Sequence, residues 1–156
     1  MYTSFGDIMR TYYVFKINKY FSYVYKNKQY KIYKTIEEIY HVKEYDMVLT
    51  YKIYEQLALT FSKSKLNEYL FSIYNENAFY KNNSNIHTYI DNYEYTRLVV
   101  TNSNLKIKSN INNPIFLKDI NNYYDNIFIC DFINKDYFWL DKVMKKDRQN
   151  DEMIVK

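Results

Sequence analysis

The period of the apolar residues changes once along the chain, and that change constrains the fold more than any other feature. From about residue 19 to residue 80 the apolar positions recur every three or four residues, as on one face of a helix. Beyond the polar stretch "KNNSN", Lys81 to Asn85, they alternate, as along half-buried strands. One early segment breaks the helical rule: "RTYYVFKIN", Arg10 to Asn18, is rich in aromatic and β-branched residues and predicts a first strand. Helices in the first half and strands in the second predict an α+β fold rather than alternating βα units.

The helical segments can be placed one by one. "KYFSYVYKN" predicts a short helix whose apolar stripe is Ile17, Tyr20, Phe21 and Val24, with Tyr25 on its edge. "KQYKIYKTIEEIYHV" carries Ile32, Ile36 and Ile39 on one face. "MVLTYKIYEQLALTF" repeats Leu49, Ile53, Leu57 and Phe61 every four residues, with Asp46 as its N-cap. "SKLNEYLFSIYN" has Ser64 as a cap and Leu66, Leu70 and Ile73 on the buried side. The loop "KNNSN" follows, and then "IHTYI", "TRLVV" and "LKIKS" predict short strands between Asn- and Ser-rich turns. In "NNPIFLKDINNYY", Asn113 is placed to cap and Pro114 to occupy the first helical position. "IFIC" predicts a buried strand that pairs with the first one or with a neighbouring central strand. "YFWL" predicts a final strand. The expected whole is one domain over residues 1–156: a small, mostly antiparallel sheet packed with about five helices. Its core lies at about 10–141, after an extension over 1–9 and before a polar tail over 142–156.

Composition excludes much chemistry. The only glycine is Gly6, and a loop that cradles phosphates needs several glycines so that backbone can approach the ligand. An EF-hand loop fails for want of its central glycine. With two histidines, His41 and His87, and one cysteine, Cys130, no all-Cys/His four-ligand zinc site can form. Neither histidine has a partner pattern, Cys130 follows an apolar run, and the adjacent Glu37 and Glu38 point about 100° apart on a helix. No catalytic group, cofactor or metal site is expected. No apolar run approaches the length of a bilayer span, the start lacks a signal-peptide pattern and the lone cysteine allows no internal disulfide, so a soluble cytoplasmic protein is expected. The 21 tyrosines accompany many Lys, Asn and Ile, all encoded by AT-rich codons, so base composition accounts for their number without a dedicated stacking surface.

Two segments carry a resemblance. "YYVFKINKYFSYVYK" near the start and "CDFINKDYFWL" near the end are similar to SirA, the sporulation inhibitor of replication of low-GC Gram-positive bacteria. The family's tail motif is an Asp-Phe pair, two spacers, a basic residue, a spacer, Tyr, a spacer and Trp-Leu. Here Asp131, Phe132, Lys135, Tyr137, Trp139 and Leu140 meet it. The first strand carries the family's Tyr-Tyr pair at Tyr12 and Tyr13, and the following helix carries Phe21 and Tyr25 at the family's spacing. "NPIFLKDINNYY" matches the helix before the tail motif, so the resemblance frames about Arg10 to Leu140. Residues 1–9 precede the family's usual start, which makes Met9 a candidate initiator.

The resemblance implies a small, non-enzymatic α/β protein that binds the N-terminal domain of the initiator DnaA, blocks recruitment of initiation factors and restrains chromosome replication. It implies a docking helix bearing Phe21 and Tyr25, flanked by Glu55 and Gln56 of the third helix. Of the pair, Tyr25 is expected to be the more exposed. The tail motif is expected to be structural: Tyr137 and Trp139 face one side of the last strand, Phe138 and Leu140 the other, and Asp131, Lys135 and Asp136 solvate the turn. The competing reading is a single-stranded nucleic-acid binder that uses interleaved Tyr and Lys, as in "KNKQYKIYK". It requires those lysines and the lysines of "LKIKS" to converge on one sheet face.

Overall fold

The computed structural model describes residues 9–41 and 47–146, of which 47–51 are described by their backbone alone. The first strand, β1 (Arg10–Ile17), is the axis of the molecule. Tyr12 and Val14 are buried on one face, and Phe15 and Ile17 on the other. A strand apolar on both sides can be satisfied only between two layers, in the middle of a sheet. It pairs antiparallel with β6 (Leu105–Ser109) on one side and with β7 (Ile127–Asp131) on the other, as expected for "IFIC".

The remaining strands are β2 (Ala58–Leu59), β3 (Tyr80–Asn83), β4 (Ile86–Ile90), β5 (Tyr95–Val100) and β8 (Asp136–Trp139). All eight form one antiparallel sheet in the order β3-β4-β5-β6-β1-β7-β8, with β2 paired to the end of β1. The helices are α1 (Lys19–Tyr25), α2 (Gln29–Tyr40), α3 (Met47–Leu57), α4 (Lys63–Tyr74), α5 (Ile115–Tyr123) and a helical stretch over 140–146, α6. This is a single α+β domain. Leu66, Leu70 and Tyr74 of α4, Phe116 and Ile120 of α5, and Leu140 and Met144 of α6 cover the first sheet face together with Tyr12, Leu98 and Ile107. Ile32, Tyr33 and Ile36 of α2 and Leu57 of α3 cover the second face over Phe15, Phe128, Cys130 and Trp139.

Several local expectations are corrected. "KNNSN" is not a loop but most of a hairpin: β3 runs into β4 through Ser84–Asn85, with Ser84 at φ 55°. The third helix stops at Leu57 because Ala58–Leu59 pair with Lys16 and Ile17, so Phe61 is buried from an irregular segment. Ile53 is exposed, Asp46 lies outside the described residues, and so does the side chain of Leu49. α4 starts after Ser62 rather than Ser64, which turns Tyr74 inward and leaves Ile73 exposed. Pro114, not Asn113, is the N-cap of α5. The helix end is completed instead by Glu94, whose Oε2 accepts from the Ile115 N–H at 2.9 Å. The buried Met144 carries the core past the expected boundary at 141.

Candidate partner-binding cleft

The short helix α1 begins where β1 ends. The Asn18 side chain accepts from the Tyr20 N–H at 2.9 Å and so caps the first turn. The most buried residue of α1 is Ser22, not one of the expected stripe. Its hydroxyl bonds the Asn126 side chain at 3.0 Å, and Asn126 sits in the left-handed region at φ 57° just before β7. That polar tie sets the roll of the helix. Phe21 and Tyr25 turn inward together, while Tyr20 and Val24 point to solvent. The expected stripe through Ile17, Tyr20, Phe21 and Val24 is therefore wrong for Tyr20 and Val24. Both rings are half-buried and packed against the second core.

The Phe21 and Tyr25 rings lie nearly parallel, 16° apart, with centroids at 6.1 Å, and Tyr20 meets Phe21 edge-on. Facing them across a cleft of about 350 Å³ are Tyr30 and Thr35 of α2 and Ile53 and Gln56 of α3. Of the four residues implied for partner binding, the fold brings together Phe21, Tyr25 and Gln56. Glu55 is exposed on α3 but is not among the residues lining the cleft, since adjacent helical positions point about 100° apart. Ile53 and Tyr30 complete the apolar wall, and sequence reasoning missed both. The signal for Ile53 was its place in the row with Leu57, of which the helix buries Leu57 and leaves Ile53 exposed. Lys31 and Lys34 make the rim basic, and Lys34 is held by Glu37 at 3.1 Å. The Tyr33 hydroxyl first, and the Lys34 contact second, keep the Glu37 carboxyl below its ordinary range.

The apolar residues expected to form the tail motif pack within the fold, and Asp131 departs from its expected place in the turn. Trp139 is 1% exposed and its Nε1–H donates to the Lys26 carbonyl at 3.2 Å. Tyr137 stacks on Tyr33 with centroids 4.6 Å apart, and Phe132 packs against Tyr13 and Tyr40. Phe138 and Leu140 face the opposite core. Asp131, however, does not solvate the turn. It is buried, ion-paired with the Arg10 guanidinium at 2.9 Å, and accepts from both the backbone and the side-chain amide of Asn134. Lys135 holds the turn's left-handed position at φ 52°.

The remaining polar candidates are satisfied within the fold. His87 is fully buried between the Tyr80 hydroxyl at 2.6 Å and the Asn67 Oδ1 at 2.7 Å, and burial pushes its pKa down to about 4. Burial also raises the Cys130 thiol, which leaves little thiolate for nucleophilic chemistry. Among the described residues no group of His, Cys, Asp and Glu could hold a metal ion, and no helix is long and apolar enough to cross a membrane. No family model matches the chain, and no curated protein matches it.

Proposed function

We propose that this chain is a non-enzymatic, protein-binding inhibitor that docks on the N-terminal domain of the replication initiator DnaA through α1 and the cleft beside it. The observation that carries the reading is the meeting of Phe21, Tyr25 and Gln56 in one cleft, from two helices about thirty positions apart. These are three of the four residues that the resemblance to SirA implies. The chemistry suits a protein partner. Aromatic anchors in a half-desolvated pocket, with a polar rim that excludes water, are the usual makings of an interface hot spot. The exposed Tyr20 and Tyr23 extend the aromatic surface of α1 beyond the cleft.

The test is calorimetric titration of the full chain with the host's DnaA N-terminal domain, with thermal unfolding of each variant alongside. Tyr25→Ala should weaken binding by about 30- to 1,000-fold, the cost of removing an anchor worth about 2–4 kcal/mol. Because Tyr25 is half-buried, this variant also loses some stability. Gln56→Ala, at an exposed position, separates the two effects: it should keep the melting temperature and still weaken binding. Wild-type affinity in both variants would refute the cleft as the docking site.

A further inference from the structure

The second sheet face is covered only in part. α1, α2 and α3 lie over β1, β7 and β8, but among the described residues no helix covers this face of β3 to β6. The register fixes what points outward there. Lys81, Thr88, Arg97, Lys108 and Thr11 are successive cross-strand partners and form one row across five strands. Lys106 follows in the next row, its ammonium 5.8 Å from the centre of the Tyr13 ring. Arg97, Lys108 and Lys81 are exposed. No acidic side chain of the described strands shares this face, although the chain has 18 acidic residues against 22 basic ones.

This arrangement costs the fold something. The wet face of an antiparallel sheet is normally polar, so lysines there are ordinary. Like charges placed directly opposite are not, because cross-strand pairs stabilise when the signs differ and destabilise when they match. Arg97 stands directly opposite Lys108. Packing offers no return for that pair, whereas an anion bridging the two side chains would.

We infer that this open half-face binds the phosphate backbone of a single-stranded nucleic acid. At a strand spacing of about 4.8 Å the row spans about 19 Å, long enough for several successive phosphates of an extended strand to meet its cations. Every side chain of the row can donate to phosphate oxygens, through ammonium, guanidinium or hydroxyl groups. The exposed Arg97 guanidinium plane provides a surface on which a base can stack. A sheet face presents neither a helix nor a protruding ribbon to enter a duplex groove, which favours a single strand. This inference is independent of the DnaA reading, because it uses other residues on another part of the sheet. The lysines of "KNKQYKIYK", expected to converge here with those of "LKIKS", lie instead at the end of α1 and on α2.

The test is fluorescence anisotropy of the full chain with a labelled 12-nucleotide oligothymidine across a salt series. Single-strand binding loses about 0.7 in log–log slope per phosphate contact. Four contacts predict an affinity about 50-fold lower at 200 mM than at 50 mM salt, and Arg97→Ala/Lys108→Ala, with two contacts left, should lose only about 7-fold over that range. Arg97→Glu creates an opposite-charge pair with Lys108, so it should weaken oligonucleotide binding while melting no lower than wild type. The control Lys52→Ala/Lys65→Ala, on α3 and α4, should leave both slope and affinity at the sheet face unchanged. Absence of saturable binding at 50 mM salt would overturn the inference, as would a wild-type slope in the double variant. Equal competition by polyglutamate of the same charge would overturn it in favour of an acidic protein partner, and tighter binding of the matching duplex would overturn the single-strand assignment.

Discussion

Replacing Trp139 tests how the last strand is locked into the molecule and how α1 is held. Trp139 is the largest fully buried side chain, 1% exposed, with its ring edge-on to Phe128 at 5.1 Å. Emptying such a site in Trp139→Ala costs about 3–5 kcal/mol, since the surrounding rings cannot collapse fully into the space. The Nε1–H bond to the Lys26 carbonyl adds about 1 kcal/mol. Lys26 is the C-cap of α1, so that bond satisfies a carbonyl at the helix end that would otherwise depend on water. For a domain of this size each kcal/mol shifts the midpoint by about 2–4 °C, so Trp139→Ala should melt at least about 6 °C lower. Trp139→Phe separates the two contributions. It keeps an aromatic in the core, removes the donor, and should cost about 1–2 kcal/mol. The assay is guanidinium unfolding followed by far-ultraviolet circular dichroism, with thermal melts in parallel. An unchanged midpoint in Trp139→Ala would refute the core role and make the residue a candidate contact instead.

Arg10→Ala should destabilise by roughly 2–4 kcal/mol in the same assay, because it strands the buried Asp131 carboxylate, whereas Asp136→Ala, at the exposed end of the same cluster, should cost under about 1 kcal/mol. The folded His87 takes up its proton only near pH 4, while the unfolded chain does so near the ordinary histidine value of about 6.5. The unfolded state therefore binds more protons within that window, and stability is lost as pH falls through it, by roughly 3 kcal/mol at pH 4; urea midpoints for His87→Gln should lack this increment. Lys135→Gly should raise stability by about 0.5–1 kcal/mol by relieving a left-handed residue, and a lower melting temperature would contradict that account of the turn.

The strands β4, β5 and β6 were legible because each has one wet face and one dry face, whereas β3 was hidden in the polar "KNNSN". In β6, Leu105 and Ile107 are buried and the lysines between and beyond them are not, as strict alternation requires. β1 and "IFIC" were legible for the opposite reason, since runs apolar on both sides belong in the middle of a sheet. Contacts that join distant parts of the chain were not legible. Glu94 completes a helix that begins 21 residues later, and Arg10 neutralises Asp131 from 121 residues away. Neither pairing leaves a local pattern. The roll of α1 failed for a related reason. Over seven residues the apolar moment is easily outvoted, and the Ser22–Asn126 bond decided which face turned inward.

The tail motif, with Asp131, Trp139 and Leu140 buried, holds the helix that forms the proposed docking surface. Its Asp131 buries a carboxylate that anchors Arg10, the first residue of β1. Its Lys135 makes the turn through its backbone angle rather than its charge. Its Trp139 reaches across to the end of α1. Meanwhile Asn126, immediately before β7, grips the middle of α1 through Ser22. The β7–β8 unit thus holds α1 at two points, and α1 is too short to be stable in isolation. The orientation of Phe21 and Tyr25 in the cleft follows from those two bonds. Changes in the motif should therefore weaken partner binding without touching the partner. Trp139→Phe is the variant in which that indirect effect can be read while the fold persists.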